Sequence, residues 1–199
     1  MKSILSLVTI FFCLISSSFI QAQADSFTIT QDFTITIKGD SNVHDWESAV
    51  ESVEGSGSFK MAEDGKLRIT ACNLSIPVKS IKSSKGKKMD KKTMKALNEE
   101  EYPSIEYKLT EFENMVFDGD SFTANAIGNL SIAGTTKSIA LDITSTALEN
   151  GNYEIRGAKA MKMTDFNIKP PTALLGTMRT KDEITIEFRV ILKPEQIND

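Results

Sequence analysis

The chain has 199 residues, a length that fits one domain better than two, and a formal net charge of −4. Eight of its 23 basic residues fall between Lys79 and Lys95, where Asp90 is the only acid, so the remainder is strongly acidic. A chain that is acidic over most of its length is a poor ligand for nucleic acid. The single histidine, His44, excludes a multi-histidine metal site within one chain.

The N-terminus has the three parts of a secretory signal peptide. Lys2 supplies a positive charge, Leu5 to Ile15 form a mostly apolar stretch, and Ala22-Gln23-Ala24 matches an A-x-A cleavage site. We therefore expect residues 1–24 to be cleaved and residues 25–199 to form one exported domain, periplasmic or secreted. A retained N-terminal anchor is the alternative interpretation.

Alternation of apolar and polar residues dominates the rest of the chain and predicts strands with one buried face. The alternating segments are 33–37, 67–78, 105–112, 122–132, 139–143 and 184–192, and turn-forming residues occupy 63–65, 118–120, 133–135 and 149–152. Regular turns between long strands predict a meander of about eight antiparallel strands. Eight strands close into a barrel that can hold one small ligand, and closure removes the exposed edges. A change of parity at Cys72-Asn73 indicates a bulge or a bend.

Two segments depart from this alternation. Met89 to Leu97 lacks Gly and Pro and predicts a short helix, at about 88–98, which must pack on the barrel because nine residues are not stably helical alone. The later loop from Asp165 to Lys181 is irregular but rich in apolar residues. Such a loop either covers the end of the core or lines the mouth of a cavity.

The sequence contains few residues or motifs that indicate catalysis. His44 and Asp45 are neighbours in sequence, and neighbours on a strand point to opposite faces, so a turn histidine is expected rather than a dyad. None of the motifs G-x-S-x-G, G-x-G-x-x-G, Walker A or C-x-x-C occurs. Cys72 is expected to be a buried small hydrophobe, with a reactive thiol as the alternative. We predict that the protein is not an enzyme; a lipid or glycan hydrolase with paired acids in the lumen is the competing hypothesis.

Four segments carry a resemblance to a known family. They are Gly39 to Trp46, the Gly-Ser-Gly-Ser-Phe run at 55–59, the lysine-rich approach to Tyr102-Pro103 in 94–107, and Ile127 to Lys137, which is similar to a G-x-L-x-I-x-G-x-T-K hairpin. In order and spacing they resemble the YceI-like family of periplasmic, lipocalin-like barrel proteins, over nearly all of residues 25–199. The expected fold is therefore an all-β, antiparallel, eight-stranded lipocalin-like barrel with one short helix.

The resemblance implies a tunnel that takes a long isoprenoid, a quinone-like lipid or a similar apolar tail, without a metal or other cofactor. Three small residues in succession on one face, Ala124, Ala126 and Gly128, are consistent with unfilled interior volume. The residues predicted to line the lumen and its mouth are Trp46, Phe59, Met94, Leu97, Tyr107, Phe122, Ala124, Ala126, Met161, Met163, Phe166 and Leu174. For Trp46 and the methionines, ordinary core packing is the alternative.

The basic segment suggests a second contact. If it lies at the tunnel mouth, Lys87, Lys88, Lys91 and Lys92 would attract anionic lipid headgroups or transiently an anionic membrane surface. A solvated helix face is the alternative. A different class of function also stays open, a non-catalytic envelope interaction or structural module with a filled core. Either protein could be a monomer or a homodimer.

Overall fold

The computed structural model describes residues 25–61, 67–173 and 177–195. Eleven strands lie in these residues: β1 (Asp25–Ser41), β2 (Trp46–Val50), β3 (Glu54–Met61), β4 (Leu67–Pro77), β5 (Ile81–Ser83), β6 (Ser104–Asp118), β7 (Ser121–Ile132), β8 (Thr135–Ala147), β9 (Tyr153–Lys162), β10 (Thr172–Ala173) and β11 (Met178–Glu195). One α-helix, α1 (Lys87–Ala96), and 3-10 turns at Val78–Ser80 and Met163–Phe166 complete the described elements. The predicted signal peptide, residues 1–24, lies outside the described residues.

Eight of the strands form a closed antiparallel barrel, in the order β1, β3, β4, β6, β7, β8, β9, β11. The barrel closes where β11 returns to β1, with Ile35 opposite Phe188 and Ile37 opposite Ile186. β2 and β5 continue the sheet from the second half of β1, and β10 pairs with the beginning of β11. The prediction of an all-β, eight-stranded antiparallel barrel with one short helix is confirmed.

The period-two pattern determines which face of each strand is buried. In β7, Phe122, Ala124, Ala126, Leu130 and Ile132 are buried at alternating positions. The bulge expected near residue 72 lies slightly earlier in the chain. Opposite the consecutive pair Ser58 and Phe59, β4 presents Ala71 and then Ile69, so Thr70 is the extra residue.

Glycines in the barrel wall lie beneath aromatic rings. A Cβ atom at Gly128 would come within 2.5 Å of the Tyr107 ring, and one at Gly157 within 2.5 Å of the Phe188 ring. The rings fill the space that the missing side chains leave, which stabilises strands that contain glycine. The expectation that Gly128 leaves interior volume is therefore not met at that residue, because Tyr107 occupies the space.

Helix α1 follows β5 and is attached to it by a buried carboxylate. Asp90, 8% exposed, accepts a hydrogen bond from the backbone N–H of Ser83 at 2.8 Å. No helix among the described residues combines the length and apolar composition that a membrane crossing requires.

Candidate functional site

The two ends of the barrel differ, and we name them by their contents. The helix end carries α1, the beginnings of β2, β6 and β8, and the turn Met163–Phe166. The far end carries the beginning of β1 and the hairpin turns at 119–120 and 148–152. Apolar side chains from every barrel strand point into the space between these ends.

A cavity of about 170 Å³, here called the lumen cavity, occupies the middle of the barrel. Its wall is apolar throughout. Seven of the eight barrel strands, all but β3, contribute residues to this wall. The lining residues include Ile35, Ile69, Cys72, Ile105, Tyr107, Leu109, Phe112, Ala126, Leu130, Leu141, Ile155, Lys159, Met161, Phe188 and Val190. An apolar cavity of this kind binds hydrocarbon in preference to water.

A second cavity of about 130 Å³, the mouth cavity, lies between the barrel and α1. Its lining includes Trp46, Met89, Thr93, Ala96, Leu97, Met163, Phe166, Ile168 and Pro171. The two cavities share six wall residues, Ile37, Ile81, Ile105, Ile132, Met161 and Ile186. They are therefore adjacent, and we call the two cavities together the tunnel, which reaches from the helix end to the middle of the barrel.

The local sequence explains how α1 covers this tunnel. Met89, Thr93 and Ala96 are spaced four and three residues apart, so they lie on one helix face and line the mouth cavity. The apolar loop that follows β9 covers the other side of the mouth with Phe166 and Ile168, which are 2% and 7% exposed. Of the two interpretations of that loop, its described part lines the mouth of a cavity.

Aromatic rings fill the far end of the barrel. Phe27, Phe59 and Phe122 are buried in one apolar cluster, and none of them borders either cavity. Phe112 lies between this cluster and the lumen cavity, with its ring centroid 6.3 Å from that of Phe122 in an edge-to-face arrangement. The tunnel therefore extends toward the helix end, where α1 and the loop after β9 cover it, and is blocked by rings toward the far end.

Two weakly acidic groups lie along the lumen cavity, and both stay protonated at neutral pH. Burial raises the pKa of the Cys72 thiol to about 12. Burial also raises the pKa of Tyr107 to about 12, with a smaller contribution from Cys72, and the Tyr107 hydroxyl donates a hydrogen bond to the Ala126 carbonyl oxygen at 3.2 Å. A thiol in this state is a poor nucleophile.

The predicted site residues fall into three groups. Seven line the tunnel: Trp46, Leu97, Tyr107, Ala126, Met161, Met163 and Phe166. Four border neither cavity: Phe59, Met94, Phe122 and Ala124. Leu174 lies outside the described residues. At the mouth, Trp46 also packs its ring over Gly39 and donates its Nε1–H to the Asp40 carbonyl oxygen at 3.1 Å.

The four lysines predicted at the mouth are all on α1. Lys87, Lys88 and Lys91 are exposed, whereas Lys92 is half-buried and borders the mouth cavity. Within the described part of the chain, none of the four forms an ion pair or hydrogen bond. Apart from Asp90, α1 therefore presents positive charge on the helix that covers the mouth cavity.

Lys159 also lines the lumen cavity, although it is not among the residues predicted to do so. It borders the lumen cavity on β9, between the inward-facing Ile155 and Met161. The same period-two pattern that predicts strand faces could have found it, since residues 155, 157, 159 and 161 share one parity. A lysine is easily taken for an outward-facing residue, because lysine is rarely buried.

The His44 ring contacts the backbone of Asp45 rather than its carboxylate. His44 is exposed, and its Nδ1 lies 2.9 Å from the Asp45 carbonyl oxygen. Across residues 25–61, 67–173 and 177–195, no group of three or more His, Cys, Asp or Glu side chains is placed to hold a metal ion.

A closed eight-stranded barrel around an apolar tunnel places the chain in the class of lipocalin-like barrel proteins. Residues 17–192 match the model of the YceI-like domain, so the chain belongs to the YceI-like family. No curated protein matched the sequence significantly.

Solved structures of low sequence identity share the fold. A polyisoprenoid binding domain from Saccharophagus degradans, implicated in plant cell wall breakdown, superposes with a TM-score of 0.65 at 9% identity, over 85% of this chain and 98% of that one. BcnA of Burkholderia cenocepacia gives 0.60 at 18% identity, over 80% and 95%. The YCEI protein of Campylobacter jejuni gives 0.57 at 17% identity, over 75% and 84%.

Proposed function

We propose that this protein binds and carries an isoprenoid or similar long-chain lipid in its barrel tunnel, in the cell envelope, without catalysing a reaction on it. The observation that carries the proposal is the apolar surface of the lumen cavity and the mainly apolar mouth cavity next to it. The polyisoprenoid binding domain of similar fold and the family membership support it. The A-x-A site at residues 22–24 supports export.

Burial of the lipid tail supplies the affinity. Apolar surface removed from water contributes about 25 cal/mol per Å², before the cost of association is subtracted. Ligand pockets usually measure about 300–1,000 Å³, and the lumen cavity alone, at about 170 Å³, is smaller. A long tail must therefore displace side chains, and Met161, which borders both cavities, has the flexible chain suited to such movement.

The lysines of α1 extend the proposal to the membrane surface. Lys87, Lys88 and Lys91 are exposed on the helix that covers the mouth and pair with no described residue, so an anionic bilayer would hold the mouth toward the source of lipid. Each lysine near such a surface contributes on the order of 1 kcal/mol. Release of the protein after loading requires only that this attraction be weak and reversible.

Extraction of the protein from its native host, followed by mass spectrometry of the organic phase, tests the carrier function. We expect one class of long-chain lipid in stoichiometric amount. The variant Met161→Trp, which fills the shared wall of the two cavities, should lose it. Ala158→Trp, at an exposed position on the same strand, should retain it.

An empty wild-type protein from its native host would contradict the carrier function. It would favour the alternative, an interaction module whose apolar interior serves stability alone. Recovery of a chemically modified lipid, absent when Met161→Trp is expressed, would instead favour an enzyme.

A further inference from the structure

The wall of the barrel separates beside Lys159. The ladder between β8 and β9 runs from the Ala147–Tyr153 pair to the Asp142–Ala158 pair and ends there. Beyond it, residues 135–141 of β8 pair only with β7, and residues 159–162 of β9 pair only with β11. We call this region the β8–β9 separation.

The separation is bounded at its other end and faces the lumen. Toward the helix end, Asn167 donates its side-chain N–H to the Thr135 hydroxyl at 3.0 Å, which ties the loop after β9 back to β8. Ile139 and Leu141 on one side and Lys159 and Met161 on the other all border the lumen cavity. The lumen therefore reaches the barrel wall at a place where no backbone ladder closes it.

Lys159 carries a charge in a wall that is otherwise apolar. Among the residues that the structure describes, it is the only charged one that lines the lumen cavity, and it makes no hydrogen bond or ion pair with any of the others. Its partner in the β11 register is Ile186, another apolar lumen residue. Because the cavity surface is wholly apolar, Lys159 contributes its methylene stem, and its ammonium lies beside the cavity rather than inside it. No described acid pairs with this ammonium, so the anionic group of a ligand is free to do so.

We propose that the lumen ligand is a single-chain amphiphile with an anionic group, and that this group lies beside Lys159 at the β8–β9 separation. The inference rests on the proposed function, since it assumes that the tail occupies the tunnel. The methylene stem of Lys159 then contacts the tail, and its ammonium donates charge-assisted hydrogen bonds to the anion. A carboxylate and a phosphate share this chemistry.

The test compares ligands that differ only in the head. Affinities of the full-length mature protein for oleate, oleyl phosphate, oleyl alcohol and a neutral polyprenol are measured by displacement of an apolar fluorophore. We expect wild type to bind at least one of the two anions about tenfold or more tightly than the alcohol. A higher affinity for oleate assigns the site to a carboxylate, and a higher affinity for oleyl phosphate assigns it to a phosphate.

Variants of Lys159 connect that preference to the residue. Lys159→Met should abolish the preference while leaving binding of oleyl alcohol intact, and Lys159→Arg should keep it. Lys108→Met, which removes an exposed lysine from β6 that borders neither cavity, is the matched control and should behave as wild type.

The experiment distinguishes a failure of the proposed function from a failure of the anionic site. If wild type binds none of the ligands, including the polyprenol, the proposed function itself is wrong. If it binds neutral and anionic ligands equally, or if Lys159→Met keeps the preference, the anionic site is wrong and the carrier function stands. Loss of alcohol binding in a Lys159→Met protein with native circular dichroism would also overturn the inference, because the lysine would then only support the tunnel.

Discussion

The Tyr107 ring lies over Gly128 of the neighbouring strand, so close that a Cβ atom at residue 128 would be 2.5 Å from the ring's Cζ atom. The Tyr107 hydroxyl is fixed by its hydrogen bond to the Ala126 carbonyl oxygen, so the ring cannot simply rotate away. Because Tyr107 also lines the lumen cavity, this pair determines both the stability of β7 and the width of the tunnel.

The first prediction follows from that contact. Gly128→Ala should lower the free energy of unfolding by about 1–3 kcal/mol, because the new methyl group must displace the ring. Urea denaturation measures the change, and Asn129→Ala, at an exposed neighbouring position, should have little effect. In a Tyr107→Ala background, Gly128→Ala should no longer destabilise. An equal cost in both backgrounds would mean that the ring contact is not the cause.

The second prediction concerns alkaline stability. The pKa of Cys72 is raised by burial from its ordinary value of 9.0 to about 12, so above pH 9 the unfolded chain loses a proton that the folded protein keeps. This contribution to stability is complete below pH 9 and is lost as pH rises toward 12, by up to about 1.4 kcal/mol per pH unit.

The variant Cys72→Ala should flatten that dependence between pH 9 and 10. Tyr107, whose ordinary pKa is 10.0, adds a similar loss mainly above pH 10, so the thiol dominates the lower window. Urea titrations of both proteins at pH 8, 9 and 10 measure the slopes. Parallel curves for wild type and variant would contradict the assignment.

The fold could be predicted because its signal is repeated along the chain. Every barrel strand that carries an apolar alternation, such as 122–132 in β7, reports the same buried face, and closure follows from the need to pair both edges. The bulge lies at Thr70, two residues before the predicted position. The alternation of apolar residues locates a change of strand face only to within the nearest apolar side chains.

The site could be predicted only in part, for two physical reasons. Which apolar side chains border empty space depends on how rings pack across the lumen, and sequence alternation does not contain that information. Phe122 and Ala126 share the same inward parity, yet only Ala126 borders the lumen cavity. Lys159 was missed because its charge suggests exposure, whereas the strand's parity turns it inward.

The third prediction tests membrane contact. Neutralising the exposed Lys87, Lys88 and Lys91 to glutamine should weaken binding to vesicles that contain anionic lipid about tenfold or more, from about 1 kcal/mol per charge. The matched control neutralises Lys60, Lys108 and Lys193, which are exposed on the barrel strands. Vesicle co-sedimentation at low salt is the measurement. Equal weakening by both sets would indicate a non-specific charge effect and contradict a role for α1.

The fourth prediction concerns the attachment of α1. Asp90→Ala removes the acceptor for the Ser83 N–H and should destabilise the protein by about 1.5–3 kcal/mol, while making the lysines of α1 more susceptible to trypsin. Asp90→Asn keeps an acceptor oxygen and should retain most of the protection. Glu100→Ala removes an exposed acid beyond the helix and serves as the charge control. Unchanged proteolysis in Asp90→Ala would show that apolar packing alone holds the helix.

The last prediction concerns the blocked end of the tunnel. Phe112 borders the lumen cavity and packs edge-to-face on Phe122, which is 6% exposed, so removing the Phe122 ring should deepen the tunnel. In Phe122→Leu, the longest straight-chain alcohol that still binds should be several methylenes longer than in wild type. Phe122→Ala should extend this length limit further, at a cost of about 3–5 kcal/mol in stability.

Ile191→Ala is the matched control for that cost. Ile191 is 3% exposed but borders neither cavity, so its truncation should destabilise the protein without changing the length limit. Displacement titrations with a series of alcohols locate the limit in each variant. A limit that stays the same in both Phe122 variants would mean that the chain does not reach the aromatic cluster, and a limit that also shifts in Ile191→Ala would trace it to general loosening of the barrel.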